Sequence, residues 1–139
     1  SPSSRNFNPW EFLFIDDKEA LADLSRAKPH GAAFLAGAPL GVVVCGDPDK
    51  CDVWIEDCSI ASILLQMTAQ SLGLGSCWIQ IRLRNHDERR SSEQYIRQRL
   101  GLPENLRILS ILAIGHPAEQ RPPVPAEDLQ QNKIHSNDW

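Results

Sequence analysis

The sequence has no run of about eighteen apolar residues free of charge, so no membrane-spanning helix is expected. It shows no signal-peptide pattern at its start. It also lacks a basic excess. Lys and Arg number 14 against 18 Asp and Glu, for a net charge of -4. A nucleic-acid partner is therefore not expected, because phosphate binding needs a basic face. The basic residues are dispersed except at Arg82, Arg84, Arg89 and Arg90, a run that reads as a solvated face or as a site for a phosphate or dinucleotide. No C-x-x-C pair occurs among Cys45, Cys51, Cys58 and Cys77, and the four histidines are scattered, so no metal site is expected. Free core thiols imply a reducing, cytoplasmic location. Neither G-x-S-x-G nor H-E-x-x-H is present, and no nucleophile sits beside a base.

What is present fits one domain over residues 1–139, with 42% hydrophobic and 23% charged residues. Residues 1–10 read as a polar loop holding Pro2 and Pro9. Strands are expected at 11–15, 40–45, 76–81 and 106–114. Helices are expected at 17–27, capped by Asp17, at 31–37, at 53–72, capped by Asp52, and at 89–100, ended by Gly101. The longest helix would turn Trp54, Cys58, Ala61, Leu64, Leu65, Thr68, Ala69 and Leu72 inward. Its opposite stripe, Glu56, Ser59, Ser62, Gln66 and Gln70, is uncharged beyond the first turn. A solvent-facing stripe normally carries charge, so this helix is expected to be covered on most sides, by a partner subunit. Glu56 and Asp57 are accounted for by the dipole at the helix start. Pro117, Pro122, Pro123 and Pro125 make the tail too proline-rich for a central element, and Trp139 at its end needs something to pack on. Strands interleaved with helices give an α+β or α/β sandwich.

Three segments carry candidate chemistry. Ser3, Ser4, Arg5, Asn6 and Asn8 place hydroxyls, amides and a guanidinium in a loop anchored by Trp10. Such a loop can serve the polar edge of a heterocycle, or it is simply a polar loop. Gly73-Leu74-Gly75-Ser76, between a helix and a strand, allows close approach to a flat ligand, or it is a helix cap and turn. It is not a dinucleotide fingerprint, because the order is helix then strand. Ile114-Gly115-His116-Pro117 leads to Arg121, which either meets a phosphate or is solvated.

In this order and spacing these segments resemble the FMN-dependent nitroreductase family. The loop from Ser4 to Trp10, the helix running from Glu56-Asp57 into Gly-Leu-Gly-Ser-Cys-Trp-Ile, the strand ending Ile-Gly-His-Pro and the close Lys133 to Trp139 are all similar to family motifs. The resemblance implies an α+β three-layer sandwich, mainly antiparallel sheet flanked by helices, in an intertwined homodimer with the tail wrapped on the partner. It implies an enzyme that passes electrons from NAD(P)H through FMN to a nitroaromatic or quinone-type acceptor, with ping-pong kinetics. The flavin carries the chemistry, so no catalytic side chain is implied. Ser3, Ser4 and Asn8 would line it from one protomer and Gly73 to Ser76 from the other. Family members usually begin further upstream with an Arg-rich segment for the flavin phosphate, and the chain is read as lacking that arm, with Arg121 the nearest cation. The alternative is a flavin-free structural or regulatory dimer that kept the fold.

Overall fold

A computed structural model describes residues 1–119 and 121–137. Four strands, β1 (Trp10–Ile15), β2 (Leu40–Gly46), β3 (Gly75–Gln80) and β4 (Arg107–Gly115), form one antiparallel sheet in the order β1-β2-β4-β3. The helices are α1 (Lys18–Leu24), α2 (Trp54–Ser71) and α3 (Ser92–Leu100), with a 3-10 turn at Ala33–Gly37. The chain is α+β, as expected.

Alternation along the strands builds three layers. Ile15, Val43, Cys45, Ile79, Ile108 and Ile111 face α1, the 3-10 turn and α3, whose Leu21, Leu24, Leu35 and Ile96 are fully buried. Val42, Val44, Leu112 and Ile114 face α2. Each such aliphatic side chain contributes roughly 1.5–3 kcal/mol by leaving water. In β4 the register slips so that Val44 pairs with Ser110 and Cys45 with Ile108. The extra residue, Leu109, lets Ile108 face one core and Leu112 the other. Its carbonyl accepts N–H bonds from both Ile81 and Arg82.

Two helix starts differ from expectation. Asp52 does not cap α2, since Val53 holds that position and no side chain bonds there; Asp52 instead pairs with Arg5. α3 begins at Ser92, not at residue 89. The Asp87 carboxylate accepts the N–H groups of Arg89 and Arg90, each at 2.8 Å, and folds them into a turn. Ser91 and Gln94 then form a capping box. Asp17 caps α1 by accepting the Ala20 N–H at 2.7 Å.

The inner seam of α2 also differs. Cys58, Ala61, Ser62 and Ala69 are buried, so small side chains let the helix lie close on the sheet. Leu64, Thr68 and Leu72, expected inside, are exposed, and Ser62, expected on the polar stripe, is fully buried. Its hydroxyl donates to the Cys58 carbonyl at 2.8 Å, which lets a polar residue sit there. The outward face carries Ile60, Ile63, Leu64 and Met67. No helix among the described residues is long and apolar enough to cross a membrane.

Candidate functional site

The N-terminal loop is closed by a bracket. The Ser3 hydroxyl accepts the Asn8 N–H at 2.9 Å and donates to Asn8 Oδ1 at 2.7 Å. Inside it, Arg5, Asn6 and Asn8 all hold positive φ, at 51°, 56° and 49°. L-residues resist that region, and such strain clusters at ligand clamps. The loop is fastened to the body of the protein. The Ser4 N–H donates to Asp57 Oδ1 at 2.8 Å, Arg5 pairs with Asp52, and the Pro9 carbonyl accepts the Asp47 N–H at 2.9 Å. Trp10, stacked on Phe12, anchors the following strand in the α2-side core.

These bonds sort the five candidate residues of the loop. Ser3 and Arg5 are engaged inside the chain. The Ser4 hydroxyl, the Asn6 side-chain amide and the Asn8 side-chain NH2 make no hydrogen bond among the described residues. They remain available to something outside the chain.

At the other end of α2, Gly73 at φ 74° ends the helix. Its N–H donates to the Gln70 carbonyl and the Leu74 N–H to Ala69, a Schellman closure with Leu74 packed on the core. Gly73 is thus required by the turn. Gly75 is not: a Cβ there would meet nothing closer than Pro117 Cβ at 3.5 Å. The Ser76 hydroxyl accepts from Gln66 Nε2 at 3.3 Å. Beside Leu74, Gly75 and Ser76 a cleft of ≈ 410 Å³ opens against Ile63, Gln66 and Met67. A second, of ≈ 240 Å³, lies beyond Gly75 against Phe34 and His116.

One chain does not bring the two halves together. α2 has 18 residues and is therefore about 27 Å long. The loop sits at its start and the turn at its end. Arg121 joins neither, being exposed and paired with Glu119 at 3.0 Å. Gly115 answers to packing, since a Cβ there would lie 2.8 Å from Pro39 Cδ. Of the arginine run, Arg84, Arg89 and Arg90 are exposed, and Arg90 pairs with Asp87 at 3.2 Å. The expected packing of Trp139 lies outside the described residues. Among the described residues no cluster of His, Cys, Asp or Glu is placed to hold a metal ion.

Sequence reasoning passed over Asp57. An acidic residue in a first turn is explained by the dipole alone, and nothing in the sequence separates exposed Glu56 from Asp57, which is 3% exposed and bonded to the loop.

The fold is thus a three-layer α+β sandwich with a polar loop at one end of α2 and a glycine-containing turn at the other. Residues 20–116 match the model of the nitroreductase family, and the chain belongs to that family of enzymes. It is 33% identical to an Archaeoglobus fulgidus protein provisionally named NADH dehydrogenase/NAD(P)H nitroreductase, over 100% of this chain and 79% of that one. An FMN-dependent nitroreductase from Clostridium difficile R20291 superposes with a TM-score of 0.97 at 42% identity, covering 99% of this chain and 80% of that one. A protein of Bacteroides thetaiotaomicron with the same provisional name as the archaeal one has a TM-score of 0.88 at 30% identity, over 99% of this chain and 77% of that one.

Proposed function

We propose that the chain binds FMN non-covalently at the interface of a homodimer, and passes electrons from NAD(P)H to a small nitroaromatic or quinone-type acceptor. The observation that carries this reading is the divided site. Unspent donors of the loop and the uncrowded Gly75 lie at opposite ends of α2, so one complete site needs the loop of one protomer and the turn of the other. The outward apolar face of α2, with Ile63 and Met67, is the surface that would bring two copies together.

The residues present fit a flat, polar-edged ring. The Ser4 hydroxyl, Asn6 and Asn8 would donate to its heteroatoms, while Ser3 and Arg5 hold the loop in shape. From the partner, Gly73 and Leu74 would set the turn, and Gly75 and Ser76 would lie against the ring, with no Cβ at Gly75 to hold it off. Arg121 would meet the flavin phosphate once the tail lies on the partner. Bound FMN supplies the hydride and electron transfer, and the chain's part is to orient the ring and exclude water.

The test is the absorption spectrum of the whole protein with and without added FMN, followed by steady-state kinetics. Flavin bands that shift on binding, and parallel double-reciprocal lines for NAD(P)H against acceptor, are expected. A colourless protein that takes up no FMN overturns the reading and leaves a flavin-free dimer.

A further inference from the structure

We infer that Asp57 is a positioning residue: its carboxylate grips the Ser4 N–H and so fixes where Ser4, Asn6 and Asn8 present their free polar groups. This rests on the flavin reading above. The dipole of α2 favours an acidic residue in its first turn without burying it, and exposed Glu56 shows as much. Asp57 is buried, and burying a carboxylate costs free energy unless its oxygens are satisfied. Both are. Oδ1 accepts the Ser4 N–H at 2.8 Å, and Oδ2 faces the thiol of buried Cys51 at 3.6 Å.

The loop needs such a grip. Three non-glycine residues within four positions hold positive φ, and the Ser3–Asn8 bracket closes the loop only on itself. Arg5–Asp52 joins the loop to the body, but both side chains are more than half exposed, where an ion pair is worth little. The Pro9 carbonyl pins the loop's far end. At the near end, the Asp57–Ser4 bond is the partly buried polar tie among the described residues.

The experiment measures the FMN dissociation constant of the whole protein in two backgrounds. Ser4→Ala keeps the backbone donor and removes the hydroxyl. Ser4→Pro removes the donor as well, and Ser3, at φ -141° and ψ 155°, suits the residue before a proline. Asp57→Ala is expected to weaken FMN binding by about tenfold or more in the Ser4→Ala background, as for a charge-assisted bond, and not at all in the Ser4→Pro background. Asp57→Asn, which keeps an oxygen acceptor, recovers most of the loss. An equal loss in both backgrounds would show that Asp57 serves only α2, and no loss in either would show that it does nothing for the loop; each overturns the proposal. Hydrogen exchange of the Ser4 amide in the flavin-free protein gives a second readout, with protection that Asp57→Ala removes. If the unsubstituted protein takes up no FMN, the proposed function falls, and amide exchange alone decides whether Asp57 positions the loop.

Discussion

A Cβ placed on Gly46 meets Trp54 Cε3 at 2.7 Å and Cys58 Sγ at 2.8 Å, whereas one placed on Gly75 meets only ordinary contacts. The two glycines therefore serve different ends. Gly46 lets the start of α2 close on β2, so Gly46→Ala is expected to cost about 1–3 kcal/mol through overpacking, read as a lower Tm. Gly75→Ala should change stability by only about 0.5 kcal/mol, yet weaken FMN binding if the ring lies against that backbone. A large loss of stability at Gly75 with unchanged FMN affinity would reverse the assignment. The cysteines divide as sharply. Burial pushes the Cys45 and Cys58 thiols up to about 12, so neither is a thiolate at neutral pH. Cys51 is buried as well, and Cys77 is exposed. The native protein should react quickly with a thiol reagent at one site, lost in Cys77→Ala, and at the other three only on unfolding.

At the scale of elements, what was legible in the sequence was local. Asp17 caps α1 because its partner lies three residues away, and Gly73 and Gly101 end α2 and α3 with the left-handed residues that a helix end calls for. All four strands were legible within a residue of their ends, since apolar runs bounded by turn residues leave few alternatives. The facing of α2 was not. Leu64 and Ser62 exchanged places because the sheet beneath selects small side chains rather than hydrophobic ones, a choice made by the distance of approach. The candidate site was legible as two motifs, while the Asp57–Ser4 tie that seats the loop at the start of α2 joins residues 53 apart in the chain. The same helix carries a direct test of the dimer. Ile63 and Met67 are half or more exposed in one chain. Met67→Glu should leave the far-UV spectrum unchanged and convert the protein to a monomer by light scattering, with loss of FMN binding. A monomeric unsubstituted protein that binds FMN fully would remove the need for a partner.

Across the whole molecule, three carboxylates are held below their ordinary range, two of them by ties between distant segments and one by a local turn. Asp23, on α1, is lowered chiefly by its hydrogen bond from Arg99 of α3. Asp87 is lowered by the Arg89 and Arg90 N–H groups, and Asp47, at the end of β2, by the Asn105 amide at 2.8 Å. A carboxyl with a folded value below its unfolded 3.8 contributes stability that is complete above that value and lost as pH falls through the folded one. The protein should thus keep a level Tm above about pH 5 and lose stability below about pH 4. Asn105→Ala isolates one of the three. Without the amide, the folded and unfolded values of Asp47 draw together, so the variant is less stable at neutral pH, and its linkage to acid is weaker. Its Tm curve should approach that of the unsubstituted protein as pH falls through the carboxylate range, measured at one protein concentration so that any association equilibrium is held fixed. Curves that stay parallel to acid would mean that Asn105 supports the β2 end by packing alone.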